Sequence, residues 1–137
     1  MRRLALAGFL IWLLATVALR LAGQWVIRTD SALSILMLLA VSAPLMFALP
    51  RGLFARFRIQ PAAYAAGAIV LVAPGMLLDT VSTIGFARIF PNIAPDATGL
   101  FGGWLLFCNV IALISAATAG RTFRGEASSV QAPQHRL

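Results

Sequence analysis

The amino-acid sequence predicts an all-α protein, an integral membrane bundle of four transmembrane helices with both termini in the cytoplasm. Three observations predict it. No charged side chain occurs in residues 31–50, 59–78 or 97–120. Residues 4–27 are equally apolar apart from Arg20. The arginines gather on one side of the threading that these stretches impose. A hydrocarbon core of about 30 Å needs roughly 20 apolar residues in a helix, so each stretch is long enough to cross it.

Composition narrows the class further. The chain of 137 residues is 61% hydrophobic and 11% charged, against about 25% charged in soluble domains. Spans at about 4–27, 31–50, 61–80 and 99–119 fill most of residues 1–126, which form one membrane domain. The net charge of +7 rests on arginine alone, because there is no lysine. Those arginines stand singly or in pairs at the ends of apolar stretches and leave no polar surface for a duplex. Nucleic acid is therefore not an expected partner, and the lipid bilayer is.

The first span has a competing reading. Met1-Arg2-Arg3 followed by Leu4 to Leu19 has the charge and hydropathy of a secretory leader. No small-x-small cleavage site follows, and Arg20 stands where the cleavage region would begin, so an uncleaved span is expected. Arg28-Thr29-Asp30 makes a tight outer turn, and Ser31 is placed to cap the second helix through its hydroxyl. Arg51 to Gln60 reads as an inner loop lying in the interface, with Leu53, Phe54, Phe57 and Ile59 among Arg51, Arg56 and Arg58. Pro61 suits the first turn of the third helix.

Residues 81–98 are too apolar for a wet loop. Either the third helix continues past the membrane surface, or this piece lies flat or dips back in, with Pro91 and Pro95 ending helical structure. Residues 127–137 are polar and aperiodic, and are expected to be a disordered cytoplasmic tail.

This threading puts Arg2, Arg3, Arg51, Arg56, Arg58, Arg121, Arg124 and Arg136 on one side. Arg20, Arg28 and Arg88 lie on the other, balanced there by Asp30, Asp79 and Asp96. The asymmetry places both termini in the cytoplasm.

Polar groups inside a membrane are costly and each demands a reason. Thr16, Arg20 and Gln24 recur every four residues on one face of the first helix, and Arg20 and Asp79 fall at nearly the same depth. They form an ion pair at the outer rim, or else Arg20 reaches the headgroups and Asp79 ends its helix in water. Asn109 lies near the middle of the fourth span, either as interhelical glue, the favoured reading, or as a ligand for a solute or ion. Ala112, Ala116 and Gly120, and likewise Gly99 and Gly103, are spaced for close helix approach, within the chain or in a homo-oligomer or membrane complex. Pro44 and Pro74 recur in an Ala-Pro-x-Met pattern in successive spans and are expected to kink them.

The catalytic inventory is short. His135, the only histidine, lies in the tail, and Cys108, the only cysteine, lies in the last span. No nucleophile triad, metal set, phosphate-binding loop or cofactor motif can be assembled from these residues, so the reading leans away from an enzyme.

Leu77-Leu78-Asp79, Phe90-Pro91-Asn92 and Gly102-Gly103-Trp104-Leu105-Leu106 follow an order that resembles a family of small four-span bacterial membrane proteins known only as a domain of unknown function. The resemblance runs from Met1 to about Ala119. It implies a four-helix inner-membrane protein and no particular activity, and it draws attention to Asp79, Phe90, Pro91 and Asn92 on the outer side.

The leading expectation is a non-enzymatic structural or accessory component. The alternative is an oligomeric transporter or channel for a small solute or ion, with Asp79 and Asn109 in the path. Whether those two side chains face one cavity separates the readings. Sequencing the N-terminus of the mature protein tests the threading. Retention of the first span is expected, and a start beyond Arg20 would leave three spans and put the termini on opposite sides.

Overall fold

The structure, a computed structural model, describes the backbone of residues 1–130 and the side chains of residues 1–120. It is helical, with no strand among the described residues. Four long helices, α1 (Arg2–Val26), α2 (Ala32–Arg56), α3 (Tyr64–Ile84) and α5 (Thr98–Val130), are joined by short connections, with a one-turn helix α4 (Phe86–Ile89) after α3. Turns of 3-10 helix at Pro61–Ala63 and Pro95–Ala97 lead into α3 and α5. In both turns proline opens the helix, where its missing N–H leaves no bond unmade. Four segments are long and apolar enough to cross a membrane. Their outward faces carry exposed Leu14, Leu21, Leu36, Leu77, Ile84 and Leu106, as hydrocarbon contact requires.

The helices are not packed evenly. α3 lies against both α1 and α5, and α2 packs on α5, whereas α1 and α2 scarcely touch. Two sealed layers hold this arrangement together. At the end carrying the N-terminus, Leu4, Phe54, Ala68, Leu71, Val72, Ala112 and Ala116 form one core. At the opposite end, Leu19, Ile27, Phe86, Phe90, Ile93, Ala97 and Phe101 form the other. The rings of Phe86, Phe90 and Phe101 meet there at tilted angles, with centroids 5.0, 5.1 and 5.6 Å apart, a geometry favoured by their quadrupoles.

That second core resolves the segment 81–98. α3 ends at Ile84, and α4 with the following turn folds over the end of the bundle, putting Phe86, Phe90, Ile93 and Ala97 inward. The segment is a lid held by its own aromatic residues.

Several local expectations are corrected. Arg51 is not in a loop, because α2 runs on to Arg56 and the break comes at Arg58, whose φ is 52°. Packing explains the extra turns. Phe54 is fully buried, its ring 4.8 Å from that of Tyr64. Arg51 lies over the Phe47 ring and donates to Ser115 Oγ and Thr118 Oγ1, each at 3.1 Å, so it clamps α2 to α5. Ser31 occupies the N-cap position of α2, but its hydroxyl makes no capping bond. The two prolines are not among these corrections: Pro44 and Pro74 sit inside α2 and α3, with helix on either side of each. The expected disordered tail begins as helix, since α5 extends to Val130; residues 131–137 lie outside the described residues.

Outside the spans, Arg28 donates from Nε to Asp30 at 3.1 Å in the α1–α2 turn. That hydrogen bond holds the Asp30 carboxyl below the usual carboxylate range and raises Arg28.

The small residues divide by face. Ala112 and Ala116 are buried within the chain, and a Cβ at Gly120 would lie 3.6 Å from the Pro61 carbonyl oxygen. Gly99 and Gly103 face open space. Gly8 is the tightest contact, because a Cβ there would collide with the Leu71 carbonyl oxygen and come within 3.0 Å of its carbon. The backbones of α1 and α3 therefore meet at Gly8. Gly8→Ala is expected to destabilise the bundle by about 1–3 kcal/mol in an unfolding titration in detergent, as overpacking does. Gly99→Ala is expected to stay within about 0.5 kcal/mol of the native chain.

Candidate functional site

Between the two sealed layers lies a cavity of about 140 Å³ that all four long helices line. α1 contributes Trp12 and Thr16, α2 Met46 and Leu49, α3 Gly75 and Asp79, and α5 Trp104 and Asn109. Most of its wall is hydrocarbon and aromatic ring, and its one carboxylate is Asp79.

Asp79 is reached by neutral donors from two other helices. Trp12 Nε1 donates to its Oδ1 at 3.0 Å, and Asn109 Nδ2 donates to its Oδ2 at 3.2 Å. Asn109 Nδ2 also donates to the Leu105 carbonyl one turn earlier at 2.9 Å, which fixes the amide on the cavity side of α5. Thr83 Oγ1 donates to the backbone carbonyl of Asp79 at 2.8 Å. Gly75 leaves space one turn before Asp79, since a Cβ there would meet Trp12 atoms only at 3.9 Å. The Asp79–Asn109 pair also borders a groove of about 310 Å³ between α3 and α5 on the outside of the bundle.

The ion pair between Arg20 and Asp79 is not formed. Arg20 Nη1 donates instead to the carbonyl oxygens of Arg88 and Ile89 at the end of α4. The reason is geometric. α4 ends with orphan carbonyls at the depth of Arg20, which a guanidinium satisfies well. Asp79 instead lines the cavity, half-buried, and also borders the groove between α3 and α5. Arg20 stays exposed at the edge of the bundle.

Asn92 belongs to the lid rather than to the cavity. Its Nδ2 donates to the Leu19 carbonyl at 3.0 Å and to Gln24 Oε1 at 2.6 Å, so Arg20, Gln24 and Asn92 together latch the lid to α1. Its Oδ1 is buried without a hydrogen-bond partner. Thr16, the third member of the polar face of α1, lines the cavity.

Two further side chains line the site: Trp12, which the sequence reading does not single out, and Trp104, which enters it only within the motif Gly102-Gly103-Trp104-Leu105-Leu106. The signal for Trp12 is its place one turn before Thr16, extending the same polar face, together with an indole N–H that needs a partner deep in a span. Trp104 Nε1 donates to Ser42 Oγ at 2.8 Å and ties α5 to α2.

Four apolar helices around an acidic cavity define a small multi-pass membrane protein. Residues 26–122 match the model of a family of unknown function (DUF5367), and the chain belongs to that family. No curated protein and no solved structure matches it. The matched residues include Asp79, Asn92, Trp104 and Asn109, whereas Trp12 and Arg20 precede them.

Double-mutant cycles test this wiring. Arg20→Ala and Asp79→Ala are expected to add within about 0.3–0.5 kcal/mol. Asn109→Ala and Asp79→Ala are expected to couple by roughly 0.6–2 kcal/mol, the range of polar contacts between membrane helices.

Proposed function

We propose that the protein binds a small organic cation inside the bilayer and carries it across. The observation that supports this is a carboxylate set in an apolar cavity with two neutral hydrogen-bond donors and, among the described residues, no cationic partner. An acidic residue within a membrane helix is costly, by up to roughly 3 kcal/mol at the centre on insertion scales, so one held toward the outer end of α3 by neutral donors alone is a candidate functional position. Asp79 supplies the counter-charge, and Asn109 and Trp12 orient its two oxygens. The faces of Trp12 and Trp104 suit an ammonium or similar cation, which aromatic rings attract through their quadrupole. The volume is close to that of an engineered cavity of about 150 Å³ that takes up benzene, so the bound group is of that size.

The packed layers at both ends favour a carrier over an open channel. Arginine placement supports an inner membrane of a bacterium, with both termini cytoplasmic. A second reading, an accessory component acting through helix contacts, draws on the open Gly99–Gly103 face.

The test is uptake of labelled tetramethylammonium by vesicles reconstituted with the native chain or with Asp79→Asn. Native vesicles are expected to exceed protein-free vesicles, and Asp79→Asn to lose at least about tenfold, or ~1.4 kcal/mol. Equal leakage from all three would leave the accessory reading.

A further inference from the structure

A second cavity lies between α1 and α2. It measures about 520 Å³ and is lined by Trp25, Val26 and Arg28 at the end of α1, by Leu33, Met37, Val41 and Ser42 on α2, and by Trp104 at its back. Trp104 also lines the Asp79 cavity, so one indole separates the two spaces. Its indole N–H is tied to Ser42 across on α2.

Three observations converge on this side of the bundle. Both ends of the Asp79 cavity are closed by packed cores. α3 packs closely against α1 and α5, and α5 against α2. α1 and α2 scarcely touch, and the space between them is this second cavity. Its mouth combines exposed Trp25 with Arg28 and its partner Asp30, side chains that suit the level of lipid headgroups.

We infer that the space between α1 and α2 is a lateral vestibule through which an amphiphilic monocation enters from the bilayer, with Trp104 as the gate to Asp79. The ligand class follows from the two volumes. A quaternary ammonium head fits the inner cavity against Asp79, and its alkyl tail lies back past Trp104 in the apolar vestibule. Swinging the Trp104 indole aside breaks its hydrogen bond to Ser42 and its tilted ring contact with Phe101, centroids 6.5 Å apart. This inference rests on the proposed role of Asp79 and adds the route and the shape of the ligand.

The experiment measures binding of labelled tetramethylammonium, butyltrimethylammonium and hexyltrimethylammonium to the full chain in lipid nanodiscs, recording association and dissociation rates. Burying one methylene in a bilayer is worth about 0.8 kcal/mol, so lateral entry predicts association rates rising roughly fourfold per methylene between the butyl and hexyl probes at equal aqueous concentration. Rates indifferent to chain length overturn lateral entry. Ser42→Ala is expected to raise both rates at least threefold with the dissociation constant kept within twofold, and Trp104→Ala, which also removes an aromatic face of the site, to raise the association rate at least threefold. An association rate unchanged in both variants would make Trp104 only a wall of the site and overturn the gate. If Trp104→Ala fails to fold, Ser42→Ala decides. Absence of binding, or equal binding by Asp79→Asn, overturns the role of Asp79 itself, an outcome distinct from a loss of chain-length dependence with Asp79-dependent binding intact.

Discussion

The contact between Asp79 and its two neutral donors, Trp12 and Asn109, sets the terms for the rest of the bundle. A carboxylate in hydrocarbon must find donors, a cation or a proton. Here the donors come from α1 and α5, the two helices that flank α3, so the bonds that satisfy Asp79 also hold those three helices in register. Gly8 lets α1 approach α3 closely enough for the Trp12 indole to reach, and Asn109 is anchored by its own helix through Leu105. The cavity exists because polar groups there take the place of the apolar side chains that fill the layers on either side.

Charge is kept apart from that centre. Of the arginines nearest to it, Arg20 is engaged by the carbonyls of the lid and Arg51 by hydroxyls and an aromatic ring at the other end. Each guanidinium thus meets backbone or side-chain oxygens near a membrane surface, where it also keeps access to headgroups. Among the described residues, the Asp79 carboxyl is met by neutral donors alone. That separation, more than any single residue, makes the centre of the bundle suited to a positively charged guest.

Much of the architecture was legible in the residues. Charge-free runs marked the four helices, and Pro61 marked where one of them is entered; Pro95, read as ending helical structure, instead opens the turn that leads into α5. The stripe Thr16, Arg20, Gln24 marked the face that α1 turns toward the lid and the cavity. Asn109 was legible as a buried amide in need of a partner, although its partner was not. The pairing of Arg20 with Asp79 misled because equal depth along two helices says nothing about rotation around them. Nor could α4 be foreseen as an acceptor for Arg20, since its free carbonyls exist only once the lid has folded. Arg51 misled for a related reason, as charge near a span end reads as a loop until Phe54 is seen to be buried beyond it.

The sequence by itself determined the class of the protein, the number of its spans and the places where polarity enters the membrane, because the bilayer enforces length, hydropathy and backbone satisfaction on every segment separately. Only the tertiary structure decided which helices are neighbours, which way Asp79 turns and which side of the bundle is left open. Those outcomes depend on close approach at Gly8, aromatic packing at Phe90 and the gap between α1 and α2. Such contacts join residues far apart in the chain, and in an apolar environment hydropathy does not distinguish a face that meets lipid from one that meets protein.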